Sequence, residues 1–186
     1  MKLGVIVGHT QNSQGAYSPT LQAYEYTWNS DLAQRIQNTA THLTIRTFFR
    51  DNVGIAGAYQ ASDAFGSDIT VELHFNSSHN TSSKGTGILY CPGSTRGRSF
   101  ATLLFEEMDA VLGFGDWPQG SGGVVTPFQA SGQQRRGETS LKSGRAPATL
   151  IEPFFGSNPT ECASANANKT NLASAIVTAA ERYMNL

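Results

Sequence analysis

The sequence predicts an α/β fold: a single, mostly parallel twisted sheet flanked by helices on both faces. Three observations predict it. Short apolar runs read as strands at residues 3–7, 43–49, 67–76, 87–91 and 148–154. Longer stretches with helical periodicity fall between them, the alternation that builds parallel sheets. The chain's 186 residues fit one domain spanning 1–186, enough to bury a core without staples, and no internal repeat, heptad run or linker divides it.

Composition narrows the classes of function. Hydrophobic residues make up 39% and charged residues 15%, a balance that fits neither a disordered chain nor a membrane span. Thirteen Lys and Arg against 14 Asp and Glu leave a formal net charge of −1, which offers no electrostatic case for nucleic acid. Cys91 and Cys162 lack metal-type spacing and read as small buried thiols, with pairing left open. The opening Met1-Lys-Leu-Gly-Val-Ile-Val-Gly8 is too short an apolar run for a signal peptide and reads as the first strand.

Taken in order, that first strand ends in Gly8-His9, and a glycine there lets the backbone approach whatever His9 touches. Ser18-Pro19 reads as a helix start, with serine as N-cap and proline in the first turn. Leu21, Glu25, Trp28, Leu32 and Ile36 then share one helical stripe, which sets Glu25 among apolar neighbours. A buried carboxylate needs a partner. The second strand, Leu43–Phe49, is followed by a helix over Asn52–Ala64 with Ile55, Ala58 and Tyr59 inward.

The stretch Ser67–Asn76 alternates Ile69, Val71, Leu73 and Phe75 with Asp68, Thr70, Glu72 and His74. It delivers His74 and Asn76 to its carboxyl end, where α/β sheets bind ligands. Gly87–Cys91 is the next strand. Ser99–Leu112 is a helix burying Phe100, Leu103, Leu104, Met108 and Val111, stopped by Gly113. Residues 113–144, rich in Gly, Ser and Gln, read as loops around short strands. Ala148–Phe154 places Glu152 near a strand end, with Leu150, Glu152 and Phe154 on one face. Asn158-Pro-Thr-Glu161 opens a helix. The last helix, Asn171–Met184, buries Leu172, Ile176, Val177, Ala180 and Tyr183.

His9, His74, Glu152 and Glu25 thus converge from three strand ends and one helix. Two imidazoles and one carboxylate match the His₂Glu set of catalytic zinc sites, in which water takes the open position. A separate carboxylate must move the water's proton. Spacing does not say which of Glu25 and Glu152 does which, and Glu72, two residues before His74, is a rival ligand. His42 and His79 sit in polar surroundings and read as solvent-facing.

These residues resemble the zinc-dependent N-acetylmuramoyl-L-alanine amidases of the Amidase_3 group. Val7-Gly-His9, Gly15-Ala16 and Glu25 are similar to that family's opening motif, and Thr70-Val-Glu-Leu-His-Phe-Asn76 to its histidine strand. Gly85-Thr-Gly-Ile-Leu-Tyr90 and Ala146-Pro-Ala-Thr-Leu-Ile-Glu-Pro-Phe-Phe-Gly-Ser-Asn158 resemble its next strand and its closing motif. The likeness runs from residue 3 to about residue 183. It implies one zinc held by His9, Glu25 and His74, with Glu152 as general base and acid. Two departures stand out: Glu72 replaces the usual serine, and Val7 replaces the usual aspartate, which leaves no residue identified to orient His9.

The resemblance implies a hydrolase that cleaves peptidoglycan between N-acetylmuramic acid and L-alanine. With no signal peptide, it suggests a phage or prophage endolysin without a separate wall-binding domain. Such a protein is made in the bacterial cytoplasm and reaches the wall with help from a partner such as a holin. Two alternatives stand beside it. One is a zinc carboxypeptidase or other acyl-amino-acid hydrolase, for which Arg135, Arg136 or Arg145 would supply the cation a free carboxylate needs; the other is an inactive wall-binding module. Ser77–Thr86, polar and without apolar periodicity, predicts no inhibitory helix over the site and no need for a protein activator.

Overall fold

The structure, a computed structural model, describes residues 1–185. Strand β1 (Lys2–Val7) leads through a short hairpin, β2 (Tyr17–Ser18) and β3 (Ala23–Tyr24), into helix α1 (Glu25–Asn38). Then come β4 (Thr44–Phe49), α2 (Gly54–Phe65), β5 (Ile69–Leu73), β6 (Gly87–Tyr90) and α3 (Thr95–Leu112). The chain continues through β7 (Val124–Val125), α4 (Pro127–Ser131), a 3₁₀ turn at Gly132–Gln134, α5 (Glu138–Leu141) and β8 (Ala148–Glu152). Helices α6 (Pro159–Ala167) and α7 (Lys169–Met184) complete it.

The main sheet has the strand order β4-β1-β5-β8-β6-β7. Every neighbouring pair is parallel except β6 with β8, so the mostly parallel α/β sandwich is as predicted. One face packs Val5, Val7, Val71 and Leu73 against Trp28, Leu32 and Ile36 of α1, with α3 and α7 alongside. The opposite face packs Ile6, Leu89 and Leu150 against Ala58 and Tyr59 of α2 and Leu141 of α5.

Coverage of both faces decides the surroundings of the polar residues of β5. Thr70 and Glu72 alternate out of the first core as expected, yet both are buried, because α2 covers them. Parallel strands sandwiched between helices have no wet side.

Helix α1 also starts later than Ser18-Pro19 predicted. Residues 17–24 form the hairpin instead, with the Tyr17 and Tyr24 rings in contact at 5.0 Å and tilted by 59°. The first amides of α1 are satisfied by backbone: Glu25 N–H donates to Ala16 O at 2.9 Å and Tyr26 N–H to Gln14 O at 3.0 Å. No side chain caps the helix at Tyr24, so cap-based reading had nothing to find.

Residues 113–144 hold more helix than their composition suggested. Thr126 and Gln129 form a reciprocal capping box at the start of α4. Strand β8 ends at Glu152, before Pro153, which breaks the alternation. Leu150 faces the α2 side, while Phe154 turns to the opposite core against Trp28 and Phe75. The predicted grouping of Leu150, Glu152 and Phe154 on one face is therefore corrected. Both cysteines are free: Cys162 is buried in the first core, and Cys91 packs against the other face.

Candidate active site

The site lies beyond the carboxyl ends of β1, β5 and β8, where adjacent parallel strands release their chains side by side. Gly8 N–H donates to Leu73 O at 3.0 Å and His74 N–H to Ile151 O at 3.1 Å, so the three exits stay in register past the strands. His9 follows β1 with φ +66°, a left-handed conformation that costs a non-glycine residue energy and marks functional sites. Glu25 enters from the first turn of α1, where the helix dipole favours a negative charge.

Two glycines make this convergence possible. A Cβ on Gly8 would sit 2.4 Å from the His74 ring. A Cβ on Gly15 (φ +79°) would sit 2.7 Å from both Glu25 Oε2 and the His9 ring. The predicted close approach at Gly8 is to His74, whose ring meets that of His9 edge-on with centroids 5.0 Å apart.

His9, Glu25 and His74 each offer a ligand atom within 4.8 Å of the others, a group able to hold a metal ion. Glu25 Oε1 lies 2.7 Å from His74 Nδ1 and 3.2 Å from His9 Nε2. Glu25 also accepts backbone N–H bonds from Ala16 and Phe75, so the carboxylate is fixed from both sides.

Burial would raise the Glu25 pKa, but hydrogen bonds from His74 and His9 bring it down to about 2. Burial would likewise depress His74; the bonds to Glu25 and Glu72 prevail and lift it to about 10. Two buried carboxylates around one imidazole call for positive charge at this point. The donor set fits zinc, which takes imidazole nitrogen and carboxylate oxygen and leaves a position open.

Glu72, the rival ligand, occupies another place. Its Oε1 accepts from His74 Nε2 at 3.0 Å, on the side of the ring away from Glu25, and from Arg50 Nη1 at 2.8 Å. Tyr59 OH donates to its Oε2 at 2.8 Å. The carboxyl is fully buried, which would raise its pKa, and its His74, Arg50 and Tyr59 contacts bring it to about 2. A carboxylate that takes the far N–H of a histidine fixes the tautomer and frees the other nitrogen for metal. The spacing Glu72-x-His74 on one strand face carried that signal; Arg50, outside any motif, did not.

Glu152 stands at the end of β8 in the same cavity of about 1040 Å³ that His9, Glu25 and His74 line. Its Oε2 is enclosed with no hydrogen-bond partner among the described residues. Burial pushes its pKa up to about 8, with the charge of His74 opposing, Glu25 adding, and Arg136 opposing. Glu152 therefore differs from Glu25: one carboxyl is prepared to exchange a proton near neutral pH, the other to stay charged.

Asn76 lines the cavity, and its buried Nδ2 has no hydrogen-bond partner among the described residues. Glu161, read only as part of a helix start, anchors the rim by accepting from Gly85 N–H at 2.7 Å and Phe155 N–H at 2.8 Å. His42 and His79 are exposed, as read from sequence. Ser77–Thr86 contains no helix. The opposite wall comes from the irregular segment, through Ala130, Ser131, Gln134, Arg135, Arg136 and Gly137. Arg50 also faces the cavity, whereas Arg145 does not line it.

Several solved structures share this architecture. The catalytic domain of CwlV, an N-acetylmuramoyl-L-alanine amidase from Bacillus (Paenibacillus) polymyxa var. colistinus, is 21% identical with a TM-score of 0.80, covering 100% of this chain and 99% of that one. The CwlD amidase from Clostridioides difficile, solved in complex with the GerS lipoprotein, is 16% identical with a TM-score of 0.79, over 99% and 98% of the two chains. The catalytic domain of the CD27L endolysin targeting Clostridia difficile is 23% identical with a TM-score of 0.75, over 96% of each. At these identities the likeness shows the fold. None of the curated proteins matches the sequence. The family model of the N-acetylmuramoyl-L-alanine amidases, Amidase_3, matches residues 4–182, nearly the whole length over which the strands, the histidines and the closing glutamate were traced, and the chain belongs to that family.

Proposed function

We propose that this chain is a zinc-dependent peptidoglycan amidase that hydrolyses the bond between the lactyl group of N-acetylmuramic acid and L-alanine. The observation that carries the reading is the convergence of His9, Glu25 and His74 in one cavity with Glu152, whose buried Oε2 has no partner among the described residues. Family membership over residues 4–182 supports the choice of substrate.

His9 Nε2, His74 Nδ1 and a Glu25 oxygen would hold the metal. Zinc supplies Lewis-acid chemistry when bound, lowering the pKa of water toward about 7 and polarising a carbonyl. The chain's own residues do the rest. Glu72 holds His74 in the tautomer that presents Nδ1. Glu152 takes a proton from the attacking water as its oxygen adds to the lactyl carbonyl carbon. As the carbon–nitrogen bond breaks, Glu152 returns that proton to the leaving nitrogen. The products are a lactyl carboxyl group and the free amine of L-alanine, and Glu152 is ready for another turn.

The decisive experiment identifies the new ends on purified cell walls incubated with the zinc-loaded protein. Release of stem peptides with L-alanine amino termini, free of muramic acid, is the expected result. Release of free D-alanine instead would identify a carboxypeptidase, and silence under saturating zinc would leave only a binding module.

A further inference from the structure

Three arginines line the cavity, and two of them are engaged. Arg50 donates to Glu72 at 2.8 Å behind His74. Arg135 lies 3.4 Å from Glu138 and 5.8 Å above the ring of Phe128. The guanidinium of Arg136 has no acidic or hydrogen-bonding partner among the described residues, although it lines the same wall.

Its backbone is nonetheless held. Arg136 N–H donates to Ser131 Oγ at 2.8 Å, and that hydroxyl donates in turn to Pro127 O at 3.0 Å. Arg135 and Gly137, on either side, both adopt left-handed conformations, φ +44° and +82°, so the turn presents Arg136 as a fixed corner. Its charge is felt at Glu152. An unpaired, exposed guanidinium on the wall of the cavity that Glu152 also lines is suited to take a carboxylate.

The chemistry of the substrate says which carboxylate. The muramic acid carboxyl is consumed in the scissile amide, and the glycan is neutral around it. The first anion beyond the bond is the free α-carboxylate of the second stem residue, a γ-linked D-glutamate. It lies within two residues of the leaving nitrogen, ~7 Å along an extended chain.

We propose that Arg136 binds the α-carboxylate of the second stem-peptide residue and makes this enzyme selective for peptidoglycan in which that group is free rather than amidated. The proposal rests on the amidase reading above. A C-terminal carboxylate has the same chemistry and is distinguished by the test.

Three synthetic substrates separate the sources: N-acetylmuramoyl-L-alanyl-γ-D-glutamyl-L-lysine, the same compound with the D-glutamyl α-carboxyl amidated, and the same compound with the lysine carboxyl amidated. For the zinc-loaded wild type, kcat/KM should fall about ten- to a hundredfold on the second substrate, mostly through KM, and little on the third. Arg136→Gln should bring the first-to-second ratio within about twofold of one, the loss expected when a charge-assisted bond is removed. Arg145→Gln, away from the cavity, should keep the wild-type ratio.

A wild-type ratio near one, a ratio preserved in Arg136→Gln, or a penalty that follows the lysine carboxyl instead would overturn the assignment. Calorimetric binding of the first two compounds to the Glu152→Gln protein reads recognition without turnover. Preference for the free carboxylate there, with no cleavage by wild type, would reject the amidase reading while upholding the Arg136 site. Cleavage with no preference would reject Arg136 alone.

Discussion

Three carboxylates and two imidazoles divide the chemistry among themselves according to what surrounds each. Glu152 differs from the rest in having a buried oxygen with no partner and a pKa pushed up to about 8. Replacing it by Gln keeps size and polarity but removes the exchangeable proton, so turnover should fall by about 10²–10⁴ while zinc stoichiometry and melting temperature stay near wild type. Wild-type turnover in that variant would move the general base elsewhere. Glu72 is the structural counterpart. Its pKa is lowered from 4.5 to about 2, so its ionised form contributes stability that is present above about pH 4.5 and lost as the pH falls through about 2. Glu72→Gln strands Arg50 and loosens His74. Breaking a buried pair costs about 3–5 kcal/mol. The variant should therefore melt several degrees lower at neutral pH and show a flatter stability profile between pH 4.5 and 2. At saturating zinc it should still bind one ion, with affinity reduced about 10- to 100-fold. Loss of stoichiometric zinc would mean that Glu72, not Glu25, is the ligand.

At the scale of elements, the strands were the most legible part of the sequence. Val7-Gly-His9, Leu73-His74 and Ile151-Glu152 sit where apolar runs end, and those ends became neighbours because β1, β5 and β8 are adjacent. Helix α1 was legible in its buried stripe but not in its start. Backbone carbonyls of Gln14 and Ala16 replace the side-chain cap, and such bonds leave no mark in residue type. The wall formed by α4 and α5 reads in the sequence as loops, since elements of four or five residues are too short to show periodicity. The hairpin that precedes α1 offers a direct test through Gly15. Alanine there must adopt φ +79° and place its Cβ 2.7 Å from Glu25 and His9. Gly15→Ala should lose stoichiometric zinc while the protein remains folded, because the strain falls on the donor cluster rather than on the core. Retained zinc at wild-type affinity would show that the hairpin yields without disturbing Glu25.

For the molecule as a whole, the sheet buries both faces and leaves its carboxyl edge as the place where polar chemistry gathers. Two rims bound the cavity there. Ser77–Thr86 is irregular and is tied to the segment after β8 at several points: Ser78 N–H donates to Ser157 Oγ at 3.1 Å, Asn158 Nδ2 to Ser83 O at 3.1 Å and Gly85 N–H to Glu161. The α4–α5 wall contributes side chains but also Gly137, and the cavity between the rims, about 1040 Å³, is large enough for a muramyl peptide. Neither rim has to be displaced for His9, which is about a third exposed at its side chain, to be reached from solvent. The purified protein with zinc alone should therefore release stem peptides from isolated walls, and adding a second protein should change the rate by less than about twofold. This follows from population arithmetic: an activator accelerates only a chain whose competent state is scarce, and apparent affinity falls by the competent fraction. An enzyme silent on walls and on soluble muramyl peptides until a partner is added would place the resting chain in a closed state. Silence on walls alone, with soluble substrates cleaved, would locate the barrier in access to the polymer.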